Sequence, residues 1–201
     1  MWVDDLAGLL THLEVKKPFI VGRSRTSRVA LRYALRYPAR VLGLGLWGLS
    51  GGDIALRWLD NYYFGQYLRA CQTGGMTAVC DQDHFAGLSV TNPERRNALM
   101  DIKPVDFITT LNCWRSMFRV NADQPVMGFK DREPRAIGVP TAIIPYYDLM
   151  HPQIAANHAL HEIKESQLFD FDPAAWGRQE TPEAPEKVAA ILCDFIRQLH
   201  L

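Results

Sequence analysis

The chain has 201 residues, 48% of them hydrophobic, which is enough to bury a core as one domain or as one domain with a large insertion. Lys plus Arg and Asp plus Glu both number 22, so the formal net charge is zero and nothing electrostatic favours nucleic acid or an anionic membrane as partner. No apolar run reaches the length of a membrane-crossing helix. Acidic Asp4 and Asp5 stand where a leader would be basic, and Cys71, Cys80, Cys113 and Cys193 form no C-x-x-C pair, so reduced thiols in a cytoplasmic protein are expected.

Trp2 to Leu13 carries Leu6, Leu9, Leu10 and Leu13 at helical spacing. A short apolar run, Phe19-Ile20-Val21, predicts a strand that ends at Gly22. A second helix is predicted over Arg28–Tyr37, halted by Pro38. Between them lies Gly22-Arg23-Ser24-Arg25-Thr26, the small-x-Ser-x-small spacing of a nucleophile elbow, with Thr26 where glycine is commonest. Small residues are needed there because the turn brings the helix backbone against the strands and holds the serine in a strained conformation. The same spacing also suits a serine whose hydroxyl only caps the helix. A second strand is predicted over Val41–Leu49, before Ser50-Gly51-Gly52. The alternation implies a parallel sheet, and the near-continuous apolar runs imply strands buried on both faces.

Residues 53–134 lose the strand pattern. Helices are predicted over Ile54–Cys71, over Pro93–Met100 behind an Asn92 cap, and over Pro104–Val120, with a break at Gly74-Gly75-Met76. Trp58, Tyr62, Tyr63, Phe64, Tyr67, Phe107, Trp114 and Phe118 make this the most aromatic stretch, as core or as pocket lining. A strand returns at 135–145, followed by Tyr146-Tyr147-Asp148. His151-Pro152 then opens a helix to about Lys164. Gln167–Phe171 alternates like an edge strand, and Thr181–His200 closes the chain as an amphipathic helix.

Asp4-Asp5-Leu6, Phe19-Ile20-Val21-Gly22-Arg23-Ser24 and Ala34-Leu35-Arg36-Tyr37-Pro38-Ala39-Arg40-Val41 together resemble the segment around the nucleophile in the α/β-hydrolase superfamily. The resemblance covers 1–52 and returns at 136–201, where Ile137-Gly138-Val139-Pro140-Thr141 introduces a strand. It implies an α/β fold, a three-layer parallel sheet of the α/β-hydrolase type, with 1–52 and 135–201 as the core and 53–134 as a helical cap over the active site. It also implies that the family's N-terminal strands are missing from this sequence, and with them half of the oxyanion hole. The backbone amide of Arg25 is the donor that stays. Strand 18–23 would then have an exposed flank, which implies a homo-oligomer that covers it, a sequence that is a fragment of a longer chain, or a reading frame that starts late.

Acyl transfer at a serine requires a base, an acid to orient it, and donors for the oxyanion. The resemblance assigns Ser24 as nucleophile and Asp148, just after a strand, as acid. An aspartate at such a turn also serves local hydrogen bonds. The base is expected as Gly-His shortly before Glu183-Ala184-Pro185-Glu186, but Gly177-Arg178 stands there, and arginine cannot act as a general base. His151 is either a base from an unusual position or part of the following helix start, with Pro152 at the first helical position. His158 and His161 share its helix face, but no cysteine or carboxylate set completes a metal site, and no cofactor is expected. Arg25, Arg28, Arg32 and Arg36 form one stripe, read either as a solvated face or, with Arg23 and Arg25 at the mouth, as a pocket for an anionic substrate. Two functions follow: a serine hydrolase of small-molecule esters or related acyl compounds, or a catalytically silent protein of the same fold with a binding or assembly role.

Overall fold

A computed structural model of the chain describes residues 2–170 and 184–199. The Gly177-Arg178 pair, the first three residues of the closing helix and His200 lie outside the described residues. The chain divides into two compact units, Met1–Ala55 with Asn121–Leu201, and Leu56–Val120.

In the first unit four parallel strands follow the order β1 (Phe19–Arg23), β2 (Gly43–Trp47), β3 (Thr141–Ile144) and β4 (Ser166–Leu168). The crossovers are helical, as parallel pairing requires. Helices α1 (Trp2–His12) and α2 (Arg25–Arg36) are joined on one sheet face by α8 (Gln153–Glu162), where Leu31, Leu44, Leu46, Ile143 and Ala159 meet in a single core. On the opposite face Trp47, Ala142, Ile144 and Tyr146 pack against Val188, Leu192 and Phe195 of α9 (Ala184–Gln198). The residues of β3 alternate between these two cores, Ile143 to one and Ala142 and Ile144 to the other, as the two-residue period of a strand dictates. The result is an α/β fold of three layers.

Two expectations are corrected here. Strand β1 is not buried on both faces: it ends the sheet among the described residues, and Val21 is 50% exposed. Only β2 and β3, which have a neighbour on each side, bury every residue. Pro152 is not the first helical residue either. It precedes α8 with extended backbone (φ −65°, ψ 143°), which leaves His151 in the loop.

The second unit is helical. Between α3 (Gly52–Asp60) and α4 (Gln66–Cys80) the expected single helix passes through a π turn at Asn61–Gly65. It is then interrupted at Gly74-Gly75, where Gly75 takes φ 62°. Helix α5 (Asp83–Thr91) has no counterpart in the sequence reading, because none of its residues is buried and no apolar period marks it. Helix α6 (Pro93–Met100) does start on the Asn92 cap, whose side chain accepts from the Glu94 amide at 3.1 Å, and α7 (Pro104–Phe118) follows. Phe64, Leu68 and Leu111 form one small core; Ala70, Cys71, Met76 and Val79 form another. Tyr62, Tyr67, Phe85, Phe107 and Trp114 line a cavity of about 650 Å³ together with the core residues Phe64 and Leu111, so the aromatic stretch provides both core and lining. Among the described residues no helix is long and apolar enough to cross a membrane.

Candidate active site

The site begins with the backbone after β1. The Ser24 amide donates to the Trp47 carbonyl at 2.7 Å, so the ladder with β2 runs one residue beyond the strand. The chain then turns directly into α2. Ser24 sits at φ 55°, ψ −120°, a conformation that costs a side-chain-bearing residue on the order of 1–3 kcal/mol and persists only where its surroundings fix it. A Cβ at position 22 would lie 2.4 Å from the Thr26 carbonyl oxygen, which explains the glycine there. The Thr26 hydroxyl accepts from the Arg23 amide (2.8 Å) and donates to the Arg23 carbonyl (2.9 Å), tying the turn where a glycine would leave it open. Beneath it the buried Ser27 hydroxyl donates to the carbonyls of Gly22 (2.6 Å) and Trp47 (3.0 Å).

The second part comes from the loop after β3. Oδ1 of Asp148 accepts the backbone amides of Met150 (2.8 Å) and His151 (2.7 Å), which curls residues 148–151 into a tight turn. That turn brings the His151 ring back over its own acid, and Nδ1 donates to the same Oδ1 at 2.9 Å. The ring is held edge-on to Tyr146, with centroids 5.1 Å apart. It lies over Gly48, where a Cβ would come within 3.4 Å of the imidazole. With Nδ1 protonated toward the carboxylate, Nε2 is the acceptor, and it lies 2.7 Å from the Ser24 hydroxyl. The Ser24 side chain makes no capping bond to α2, so its hydroxyl serves the histidine and not the helix end.

Ser24, Asp148 and His151, 127 residues apart at the extremes, therefore meet in one hydrogen-bonded line. Burial pushes the Asp148 carboxyl up, but the hydrogen bond and charge of His151 and the two amides outweigh it and hold the group below its ordinary value. The carboxylate is thus anionic wherever the imidazole needs its counter-charge. The Arg25 amide opens α2, where helix geometry leaves the first amides without intrahelical acceptors.

Arg23, Ser24, Trp47, Asp148 and His151 line a cavity of about 260 Å³. Trp47, Gly48, Tyr146 and Met150 were not singled out from the sequence. A glycine interrupting the apolar run at 41–49 and the position of Tyr146 just beyond the predicted strand 135–145 are the signals that could have found Gly48 and Tyr146. The other sequence candidates lie elsewhere. His158 faces the Asp131 carbonyl at 2.9 Å, and His161 is exposed. In the arginine stripe, Arg36 pairs with Asp4 at 2.7 Å and Arg32 pairs with Glu133. Arg25 lies over the Trp2 ring at 4.8 Å.

Several solved hydrolases share this arrangement of elements. MGS-M2, an α/β hydrolase enzyme from a Medee basin deep-sea metagenome library, matches with a TM-score of 0.59 at 20% identity, over 96% of this chain and 70% of that one. The meta-cleavage product hydrolase CumD of Pseudomonas fluorescens matches with a TM-score of 0.59 at 20% identity, over 98% and 71%. The enol-lactonase of Burkholderia xenovorans gives 0.54 at 14%, over 97% and 71%. No family model matches the sequence, and no curated protein does. The chain has the α/β-hydrolase fold.

Proposed function

We propose that this chain, built on the α/β-hydrolase fold, is a serine hydrolase of small esters or related acyl compounds, with Ser24, His151 and Asp148 as its catalytic set. The observation that carries the proposal is the unbroken line from Ser24 Oγ to His151 Nε2 (2.7 Å) and from His151 Nδ1 to Asp148 (2.9 Å). The strained backbone at Ser24, which serves no capping purpose, supports it.

In this reading His151 takes the proton of Ser24 as Oγ attacks the acyl carbon. Asp148 holds the ring in the required tautomer and offsets the imidazolium charge. The Arg25 amide donates to the oxygen that becomes negative. The imidazolium then gives its proton to the departing alkoxide, leaving an acyl group on Ser24. A water, deprotonated by the same nitrogen, attacks that ester and releases the acid and the free serine.

The test is intact-mass analysis after exposure to a fluorophosphonate, on wild type, Ser24→Ala and His151→Ala. The expected result is one adduct on wild type, none on Ser24→Ala, and labelling of His151→Ala slowed by roughly a thousandfold or more. Well-folded wild-type protein that takes no adduct would overturn the proposal in favour of a silent, ligand-binding role.

A further inference from the structure

The cavity that holds Ser24 and His151 has a second charged wall. Arg23, the residue just before the serine, places its guanidinium against two aromatic faces, 4.5 Å from the centroid of the Trp47 ring and 5.7 Å from that of Tyr146. One Nη donates to the Tyr146 hydroxyl at 3.1 Å. Both rings are themselves buried, with Trp47 7% and Tyr146 6% exposed. The cation is therefore held in place, since planar stacking and a hydrogen bond remove most of the freedom a surface arginine would have.

What holds it carries no negative charge. Among the described residues no carboxylate pairs with Arg23, and the remaining donors of its fork have no protein acceptor. Among the described residues Asp148 is the one carboxylate lining this cavity, and its Oδ1 already receives three hydrogen bonds, all from the turn that carries His151. Arg23 is exposed where it lines this cavity, so the free edge of its guanidinium fork is open to an anionic group of a substrate seated at Ser24.

We infer that Arg23 is the specificity residue of the site and that the substrates are short esters carrying a carboxylate. This rests on the hydrolase reading above. The planar fork, with one edge engaged by Tyr146, offers parallel donors to a planar carboxylate. A cavity of about 260 Å³ lies below the usual range for drug-sized ligands, which suits a half-ester of a short dicarboxylic acid.

The test compares 4-nitrophenyl hydrogen succinate with its methyl ester, which has similar shape and no charge. Wild type should favour the charged ester in kcat/KM. Arg23→Gln should collapse that ratio by about 10- to 100-fold, chiefly through KM for the charged ester, and Arg23→Lys should restore part of it. A wild-type ratio at or below one, or a ratio that Arg23→Gln leaves unchanged, overturns the assignment while the hydrolase reading stands. The second arm needs no turnover: succinate is titrated calorimetrically into Ser24→Ala and into Ser24→Ala combined with Arg23→Gln. If neither ester is cleaved, but succinate binds the first protein at least tenfold more tightly than the second, Arg23 reads carboxylates and the hydrolase reading is the one that fails. Equal binding with no cleavage overturns both.

Discussion

The two units of this chain solve packing differently. In the sheet unit Leu31, Leu44, Leu46 and Ile143 are fully buried between strands and helices, and β2 and β3 expose nothing. In the helical unit Val79 and Cys80 are as well buried, yet α5 and α6 bury no residue and α7 buries only Leu111. Val90, Val105 and Met117 are 84%, 64% and 67% exposed there. A hydrogen-bonded line that must hold to a few tenths of an ångström sits on the unit packed from both faces. The unit with thin cores has an aromatic-lined cavity of about 650 Å³. Rigid surroundings fix side-chain geometry, whereas sparse burial leaves a region near the low end of local stability.

The largest effect expected from that contrast is chemical and confined to the sheet unit. His151→Ala should lower kcat/KM on the preferred ester by roughly 10³-fold or more, while thermal unfolding and hydrogen exchange of β2 and β3 stay near wild type. A His151→Ala protein that loses protection across the sheet would mean the line is structural, and the contrast would dissolve.

Truncations in the two cores sharpen the difference. Leu44→Ala, at a site that cannot collapse, should cost about 3–5 kcal/mol in urea unfolding, against about 2 kcal/mol for Leu111→Ala, where thin packing can relax. Equal costs would show the helical unit to be as tightly built as the sheet.

A smaller effect is polar. Asp60, 6% exposed, is held by Arg115 through two hydrogen bonds of 2.8 and 2.6 Å, with Arg119 at 3.5 Å. Arg115→Leu leaves that buried carboxylate short of partners and should cost about 2 kcal/mol, read as lost exchange protection at 56–120 with β2 unaffected. The Arg115 hydrogen bond is the main influence on the Asp60 carboxyl. It outweighs the upward push of burial and, with the charges of Arg115 and Arg119, holds the group below its ordinary value. A depressed native value means the stabilisation is complete above the unfolded value of about 3.9 and is lost as pH falls through the native one. Exchange protection at 56–120 should therefore decline below about pH 4 in wild type, with a flatter decline in Asp60→Asn.

How much of this the sequence could reveal depended on whether a feature was local. The elbow was legible because Gly22, Ser24 and Thr26 encode a backbone turn within five residues, and Asn92 announced α6 in the same way. Asp148 was legible from its place after a strand. His151 stayed ambiguous between base and helix start, because the answer lies in the direction of a ring set by the Asp148 turn and by Gly48, far away in sequence. The edge position of β1 could not be seen in Phe19-Ile20-Val21 themselves, since an apolar run does not say which neighbours it will have; the exposed flank was expected only from the resemblance. Helix α5 left no trace, because a helix that buries nothing imposes no period on its residues. Arg23 was named with Arg25 at the mouth of a pocket for an anionic substrate, but the rings that single it out from Arg25 come from β2 and from the loop after β3.

The proposed acid and base are separated by two residues on one short turn, and Asp148 holds that turn closed with the same oxygen that orients His151. In the proposed mechanism the proton-handling half of the site is thus a single cassette. A local opening of 148–151 removes acid, base and ring alignment in one event and leaves Ser24 poised on its elbow with nothing to activate it. Loss of function under mild heat or denaturant should then be switch-like, preceding loss of the sheet, and should reverse as fast as four residues can re-form a turn.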